Sequence, residues 1–259
     1  MQDGVQGRLR ILDLCTGSGC IPLLFHHDFY SDARNEQTAL EIVGIDVSAT
    51  AIGLTRENLR MQTEAHSDQD RSFSTSMRSL AATRFLRADV LRPGTSGDAA
   101  LPTAIDALRR LHDGASAPEY DILISNPPYI SSKAFRTTTS RSVRLFEPKL
   151  ALVPCSRSTA PAAQDGDVFY PHLLHLAEQL STQIVLFEVA DMGQAQRVAS
   201  LAVKQGIWEG VEIWRDEPGA PTGPQESTTV VDGAVVKVRG AGHGRSVFAY
   251  RGAGATWTQ

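Results

Sequence analysis

The chain has 259 residues, of which 42% are hydrophobic and 21% charged, a composition typical of a globular protein rather than a disordered or fibrous one. Its formal net charge of −4 argues against a protein that relies on an overall basic field to bind nucleic acid, and no apolar run reaches the ~20 residues that a membrane-spanning helix needs. The three cysteines, Cys15, Cys20 and Cys155, form no CxxC pair, so free thiols in a reducing compartment are expected.

Seven short apolar stretches are predicted to be strands, because they are rich in branched residues and bounded by turn-forming or acidic residues. They are residues 8–14, 41–47, 85–89, 120–125, 183–188, 211–215 and 247–251. Apolar residues at helical spacing predict helices over 21–25, 49–61, 168–180 and 194–205. Strands that alternate with helices predict an α/β fold with a mostly parallel sheet. Asp232-Gly233 between β-branched residues also predicts a hairpin over 230–236.

Four stretches rich in Ser, Gly, Ala and Pro interrupt this alternation. They are residues 67–79, 92–118, 155–167 and 216–227. We interpret them as surface insertions in a single domain that covers residues 1–259.

A glycine-rich turn follows the first strand and opens a helix, over residues 13–19 (DLCTGSG). Glycines let the backbone approach a ligand closely, and the helix N-terminus offers N–H groups. The turn therefore predicts a nucleotide-type cofactor at the carboxyl end of the sheet. By itself this signal is weak, because such turns also occur without a ligand.

Two acids at the ends of later strands strengthen this prediction. Asp46 ends the second strand, where a carboxylate can accept hydrogen bonds from both hydroxyls of a ribose, and Ser48 is the better candidate for capping the next helix. Asp89, after the third strand, can accept a hydrogen bond from an adenine amino group. Since Cys15 replaces the first glycine of a G-x-G-x-x-G motif, S-adenosylmethionine (SAM), which has no pyrophosphate, fits better than NAD.

The tetrapeptide Asn126-Pro127-Pro128-Tyr129 directly follows the fourth strand. The prolines fix φ and lack N–H groups, so they hold the neighbouring carbonyls in place. The Asn126 side-chain oxygen and the Pro127 carbonyl can each accept a hydrogen bond from one N–H of a substrate NH2 group. The ring of Tyr129 supplies a flat surface beside that group. This grip favours a pyramidal amide nitrogen whose lone pair faces an electrophile. A purely structural Pro-rich turn is the alternative.

These motifs together resemble the HemK/PrmC family of SAM-dependent methyltransferases, which modify the glutamine of the GGQ motif in peptide chain release factors. The resemblance rests on ILDLCTGSGCIPLL from Ile11, on GIDVS, on Asp89, on SNPPYIS, and on RLFEPKLAL from Arg144. The last segment separates the glutamine methyltransferases from adenine-N6 methyltransferases, which share NPPY.

The resemblance implies a class I methyltransferase fold, with seven strands, the last antiparallel, that binds SAM and its product S-adenosylhomocysteine without a metal. The implied cofactor-binding residues are Asp13, Cys15, Thr16, Gly17, Ser18, Gly19, Asp46, Val47, Asp89, Val90 and Asn126. The implied substrate-binding residues are Asn126, Pro127, Pro128 and Tyr129, of which Asn126, Pro127 and Tyr129 are expected to serve catalysis. Cys15 stands where bacterial members usually have Gly, and Val90 where some members have an aromatic residue.

The resemblance also implies a GGQ-containing release factor as partner, and we expect a monomer that binds neither nucleic acid nor a membrane. The family's N-terminal helical domain is expected to be absent from this chain. Bacterial and organellar members share the Phe146-Glu147-Pro148 element, whereas the insertions are typical of eukaryotic proteins, so a mitochondrial location is favoured over a cytoplasmic one. Glu147 is expected to order the loop after NPPY through hydrogen bonds.

Two other functions remain open from the residues. An adenine-N6 methyltransferase would need a basic, aromatic-lined groove for a flipped base, which the net charge of −4 disfavours. A SAM-binding protein without catalytic activity is disfavoured by the intact NPPY motif. His172 and His175 are spaced to share a metal, but no third ligand accompanies them.

Overall fold

The computed structural model describes residues 7–67, 74–92, 101–114, 118–154, 166–221 and 228–258. The chain divides into two compact units, Met1–Ile124 and Ser125–Gln259. The strands that begin in the first unit are β1 (Gly7–Leu14), β2 (Thr38–Asp46), β3 (Arg84–Arg87) and β4 (Ile122–Ser125). Its helices are α1 (Cys20–Ser31), α2 (Ala49–Ser67), α3 (Thr75–Ala82) and α4 (Ala104–Leu111).

The strands of the first unit follow the order β3-β2-β1-β4. β1 pairs with β2 in parallel, from Gly7 opposite Thr38 to Leu14 opposite Ile45, and β2 pairs with β3 in parallel. The apolar residues of these strands are almost fully buried, which is typical of parallel strands covered on both faces. The carboxyl ends of β1, β2 and β3 consequently lie at one edge.

Serine and threonine side chains cap the N-termini of α2, α3 and α4. Ser48 Oγ accepts a hydrogen bond from the Ala51 N–H at the start of α2, as predicted. Ser74 caps α3 and Thr103 caps α4 in the same way. One buried cluster joins Leu23, Ile52, Leu80 and Phe85, and a second joins Ile11, Leu40, Ile42 and Ile124. The helices are therefore held on the strands by apolar burial.

The second unit contains five strands and five helices among its described residues. The helices are α5 (Ser132–Thr137), α6 (Arg141–Phe146), α7 (Lys149–Leu152), α8 (Phe169–Gln179) and α9 (Met192–Gln205). The strands are β5 (Ile184–Glu188), β6 (Gly210–Glu217), β7 (Thr228–Val231), β8 (Ala234–Arg239) and β9 (Ala241–Tyr250), in the order β5-β9-β6-β8-β7. β9 is antiparallel to both β5 and β6.

The predicted α/β fold is confirmed, with parallel strands in the first unit and an antiparallel last strand in the second. All seven predicted strands are present. The predicted hairpin adds β7 and β8, so the described residues contain nine strands. Asp232 and Gly233 form its turn with φ values of 48° and 80°, the left-handed conformations that a tight hairpin turn requires.

The interpretation of surface insertions is wrong for part of three stretches. Residues 75–79 belong to α3 and residues 104–111 form α4, where Leu108 is completely buried in the core. Asp216 and Glu217 belong to β6 rather than to an irregular stretch. Other parts of these stretches, including Cys155, lie outside the described residues. No helix in the described part of the chain is long and apolar enough to span a membrane.

Candidate active site

The glycine-rich turn leaves β1 through three residues in the left-handed region. Cys15 has φ 62°, Gly17 has φ 56° and Gly19 has φ 77°. Glycine adopts this conformation without strain, whereas Cys15 adopts it at a steric cost. An added Cβ at half-buried Gly17 would meet no atom within 4 Å, so the left-handed backbone, and not a lack of space, is the reason for glycine at this bend.

Side chains of β2 and α2 hold this turn from outside. Asp46 Oδ2 accepts a hydrogen bond from the Gly17 N–H at 2.9 Å, and its Oδ1 accepts one from the Ser48 N–H at 2.8 Å. From α2, Thr55 Oγ1 donates to the Gly17 carbonyl at 2.7 Å and Asn58 Nδ2 donates to the Ser18 carbonyl at 2.9 Å. The turn is therefore fixed by hydrogen bonds at several of its peptide groups.

The N–H groups of the turn are largely used within the protein. Thr16 N–H donates to the Ile45 carbonyl and Gly19 N–H to the Thr16 carbonyl, while Gly17 N–H is bound by Asp46. The prediction concerned the N-terminus of the following helix, which begins at Cys20, and these three groups precede it. A pyrophosphate needs several free N–H donors, so the geometry fits a ligand bound mainly by carboxylates.

Asp13, on β1 beneath the turn, is completely buried. One of its carboxylate oxygens accepts a hydrogen bond from the Thr16 hydroxyl, whereas Oδ1 has no partner among the described residues. Burial raises the pKa of Asp13 to about 7, and the nearby Asp46 carboxylate raises it further, while the Thr16 hydrogen bond lowers it. A buried, partly unsatisfied carboxylate is a candidate partner for a cationic ligand group.

The residues after β2 and β3 occupy separate positions near this edge. Val47 is half-buried, and its carbonyl accepts a hydrogen bond from Arg87 Nε at 3.1 Å. Asp89 Oδ1 accepts a hydrogen bond from the Leu91 N–H at 2.9 Å, and Val90 is buried. The structure thus brings Asp13, the turn and Asp46 into contact, whereas the Asp89 carboxylate bonds to its own loop.

In the second unit, NPPY leaves the end of β4 with its two prolines buried and Asn126 exposed. No hydrogen bond of the Asn126 side chain to any described residue is present, so its amide oxygen and NH2 group are accessible. The buried prolines and half-buried Tyr129 anchor the backbone on either side of the Pro127 carbonyl. This is a rigid support for one exposed amide side chain.

Tyr129 is held by an acid that sequence reasoning did not assign to the site. Its hydroxyl donates a hydrogen bond to Glu188 Oε1, at the end of β5, at 2.9 Å. Burial, and after it the negative charge of Glu188, raise the pKa of Tyr129 to about 12. Glu188 is held in turn, because the hydroxyl of buried Tyr170 donates to its backbone carbonyl at 2.8 Å.

Gln194, near the start of α9, is a second residue missed by the sequence analysis. It is only 3% exposed, and its Nε2 donates to the Tyr129 carbonyl at 3.3 Å and to Asp167 Oδ1 at 2.8 Å. Its Oε1 accepts a hydrogen bond from the Ala190 N–H at 2.7 Å. A buried amide with both ends bonded fixes the backbone beside it, so Gln194 clamps the end of NPPY. The sequence QIVLFEVADMGQ, residues 183–194, predicted a strand and the start of a helix but no contact with Tyr129.

Glu147 and the two histidines of α8 are the remaining residues that the sequence analysis considered. Glu147 is exposed, and its side chain forms no hydrogen bond with them, so the expected ordering of the loop by Glu147 is not seen. His172 is half-buried and His175 exposed, and the described residues contain no group of three ligands that could hold a metal ion.

Comparison with known proteins finds several methyltransferases that are similar to the chain in sequence. It is 28% identical over 202 residues to a probable MRF1 mitochondrial N(5)-glutamine methyltransferase, mtq1, of Schizosaccharomyces pombe, covering 74% of this chain and 52% of that protein. It is 29% identical over 221 residues to the release factor glutamine methyltransferase of Nitratidesulfovibrio vulgaris, covering 82% of this chain and 55% of that protein. The chain thus spans about half the length of these relatives. No family model matches it.

Solved structures of low sequence identity cover most of the chain. The hMettl16 catalytic domain in complex with MAT2A 3'UTR hairpin 1 has a TM-score of 0.49 and 14% identity, covering 93% of this chain and 63% of that one. TrmN from Thermus thermophilus has a TM-score of 0.42 and 16% identity, covering 96% of this chain and 46% of that one.

The described residues form the α/β fold that the motifs predicted, with parallel first strands and an antiparallel last strand. In sequence, the chain is similar to release factor glutamine methyltransferases. The resemblance predicted from the motifs is therefore confirmed.

Proposed function

We propose that this chain transfers the methyl group of SAM to the side-chain amide nitrogen of the glutamine in a GGQ motif of a peptide chain release factor. The observation that carries the proposal is the exposed Asn126 on its buried Pro127-Pro128 support, in a chain similar to release factor glutamine methyltransferases. The family implies SAM, which supplies an electrophilic methyl group when bound. The names of the relatives supply the release factor as substrate.

The residues of the first unit fit SAM. Asp13 offers a buried carboxylate with an unpartnered oxygen to a cationic group, and the two bonded oxygens of Asp46 retain acceptor capacity for ribose hydroxyls. We assign cofactor contact to these two acids, to residues 15–19, to Val47, and to Asp89 and Val90 on the adenine side. The same donor set suits a pyrophosphate poorly, because the turn's N–H groups are used internally.

The residues of NPPY would position the reacting nitrogen. The Asn126 oxygen and the Pro127 carbonyl accept one N–H each from the glutamine amide, which turns the nitrogen lone pair away from its own carbonyl. Pro128 fixes the backbone and the Tyr129 ring forms a wall. Positioning of this kind supplies much of a rate enhancement, roughly 7–11 kcal/mol. No strong base is required, because the methylated nitrogen loses its proton readily.

The proposal extends to the oligomeric state, the partner class and the location of the protein. We infer a monomeric enzyme without a metal, in which residues 1–259 form one catalytic domain and which recognises a protein and neither nucleic acid nor a membrane. Two yeast relatives are named as mitochondrial, that of Schizosaccharomyces pombe and that of Saccharomyces cerevisiae, the second 29% identical over 145 residues and covered by this chain over 33% of its length. These names favour a mitochondrial location, whereas a cytoplasmic one would follow the bacterial relatives.

Single-turnover methyl transfer to a release factor tests the proposal. We expect Asn126→Ala to lower the rate by about 10²–10³, as is typical when one contact of a preorganised site is removed. Asn126→Asp keeps an acceptor but adds a charge, so its loss should fall on kcat rather than on KM. Asn35→Ala, which removes a hydrogen bond to the Phe29 carbonyl far along the chain, is the matched control.

The position of the methyl group separates the alternatives. Glutamine methylation of the GGQ motif supports the proposal, whereas transfer to adenine in DNA or RNA, or SAM binding without transfer, overturns it. A rate for Asn126→Ala within about threefold of the wild type would show that NPPY is a structural turn in this chain.

A further inference from the structure

An exposed segment with a charge opposite to that of the rest of the chain follows NPPY. Residues 131–152, which we call the basic segment, contain five cationic side chains and one acidic side chain, whereas the whole chain has a net charge of −4. The cations are Lys133, Arg136, Arg141, Arg144 and Lys149, and all five are exposed. None of them forms an ion pair with an acid in the described part of the chain. Their charge is therefore available to a partner.

The basic segment also exposes large apolar side chains. Phe146 is 85% exposed, Leu145 63% and Leu150 41%, and no other described stretch of six residues brings three such side chains together. Exposure of this kind is unfavourable in water, and large exposed apolar side chains among charged ones are typical of an interaction surface.

The local structure of the segment keeps this surface exposed. The helices α5, α6 and α7 bury none of their residues. Ser131 and Ser140 cap α5 and α6, so these helices are stabilised by their own hydrogen bonds rather than by a core. Lys149 lies 5.7 Å from the centre of the Phe135 ring, which leaves Phe146 as the exposed ring.

The segment is joined to the candidate substrate site at its base. The Ile130 N–H donates to the Leu152 carbonyl at 2.9 Å, so the two ends of the segment meet one residue after Tyr129. A partner bound on the segment would consequently be held next to NPPY.

We propose that the basic segment is the docking surface for the protein substrate, and that this protein has an apolar patch rimmed by acidic side chains beside its methyl-accepting glutamine. This inference rests on the proposed function. Leucine side chains neither stack on bases nor pair with phosphates, and Glu147 beside Phe146 would repel a phosphate backbone, so a protein fits this surface better than nucleic acid does.

Steady-state methyl transfer with two substrates tests the docking surface. The substrates are a whole release factor and a short peptide that contains only its GGQ segment. Phe146→Ala should raise KM for the whole factor by roughly tenfold, and Arg141→Glu with Arg144→Glu should raise it further and weaken its salt dependence. The values of kcat, the peptide kinetics and the affinity for SAM should change little.

Matched variants elsewhere provide the controls. Arg110→Glu reverses an exposed charge on α4, and Val235→Ala shortens an apolar side chain that is 70% exposed on β8. Neither should change KM for the factor by more than about twofold. Since the substituted side chains are all exposed, circular dichroism should show every variant folded.

The outcomes distinguish this inference from the proposed function. Wild-type transfer to the factor with unchanged KM in the segment variants overturns the docking surface alone. Absence of wild-type transfer to both factor and peptide overturns the proposed function and the docking surface with it. Loss of RNA or DNA binding in the charge-reversed variant, with the KM for the factor unchanged, would assign the segment to nucleic acid and overturn the inference.

Discussion

The hydroxyl of Tyr129 donates a 2.9 Å hydrogen bond to Oε1 of Glu188. The bond joins the last residue of NPPY to the end of β5, and the Tyr170 hydroxyl holds the Glu188 backbone from below. Because the pKa of Tyr129 is raised to about 12, by burial first and then by Glu188, the hydroxyl keeps its proton throughout the pH range of an assay. The Tyr129 ring is thus held in place by a hydrogen bond to Glu188 that persists over this pH range.

Tyr129→Phe keeps the ring and removes only this bond. A hydrogen bond to a charged group contributes ~1.5–3 kcal/mol, so we expect kcat/KM for the release factor to fall by roughly 10- to 100-fold. The pH profile should keep its shape between pH 6 and about 10, since Tyr129 does not titrate there. Tyr30→Phe, which removes a buried hydroxyl of the first unit, is the control. An unchanged kcat/KM in Tyr129→Phe would contradict the positioning role.

Gln194 is expected to fix the position of Tyr129 through its hydrogen bond to the Tyr129 carbonyl. Gln194→Met removes the hydrogen bonds to the Tyr129 carbonyl, to Asp167 and to the Ala190 N–H while keeping the side-chain volume. Loss of a buried, fully bonded amide should lower the free energy of unfolding by about 1–3 kcal/mol and lower kcat more than it raises KM. Gln196→Met, on the exposed side of the same helix, should alter neither quantity. Equal kcat values for the two variants would remove Gln194 from the positioning machinery.

Local features of the fold could be predicted from the sequence, whereas the contacts of Tyr129 with Glu188 and Gln194 could not. Apolar runs predicted β1, β2 and β5, and the Asp-Gly pair predicted the turn between β7 and β8, because period and turn chemistry are local properties. The Tyr129–Glu188 bond joins residues 59 positions apart and the Tyr129–Gln194 bond residues 65 positions apart, so no local pattern reports them.

Two further differences have physical causes of the same kind. The helices α5, α6 and α7 were not predicted, because they are short, are stabilised by serine caps and bury no apolar face that would give a helical period. The internal use of the Gly17 N–H depends on Asp46, which lies 29 residues further along the chain. The sequence shows which residue types form the glycine-rich turn, but it could not predict which of the turn's N–H groups bond within the protein.

Asp46 is expected to determine the affinity for SAM. Asp46→Ala removes the hydrogen bond that holds the Gly17 N–H of the turn, the hydrogen bond to the Ser48 N–H, and the acceptors proposed for the ribose. At ~1.5–3 kcal/mol for each bond to a charged acceptor, affinity for SAM and S-adenosylhomocysteine should fall at least tenfold. Isothermal titration calorimetry on the folded variant measures this. Ser48→Ala, which removes only the cap of α2, should bind within about threefold of the wild type. Unchanged affinity in Asp46→Ala would exclude Asp46 from the cofactor site.

Asp13 is expected to make stability depend on pH in the absence of SAM. Burial raises its pKa from 3.8 to about 7 in the folded protein, so the folded state binds the proton more tightly than the unfolded state does. This contribution is complete below about pH 4 and is lost as the pH rises through about 7, so stability falls over this window by a few kcal/mol. Asp13→Asn should flatten this part of the curve and be the more stable protein at pH 8.

Urea unfolding at intervals between pH 4 and pH 8 measures the effect. Asp32→Asn is the control, because Arg34 lowers the pKa of the exposed Asp32 to about 2, so that its protonation does not enter this window. If wild type and Asp13→Asn show parallel curves, the Asp13 carboxyl is ionised in the folded protein at neutral pH.

Two Gly→Ala substitutions, one in the glycine-rich turn and one in α2, are expected to have opposite effects on the free energy of unfolding. Gly17 has φ 56° and Gly53 lies at an exposed position inside α2, and an added Cβ would meet no atom within 4 Å at either. Gly17→Ala should therefore destabilise the protein through the left-handed backbone alone, by about 1–2 kcal/mol. Gly53→Ala should stabilise it by about 0.5–1 kcal/mol, because alanine favours the helix. Chemical denaturation measures both, and a stabilising Gly17→Ala would show that the turn does not hold the conformation on which the proposed cofactor site depends.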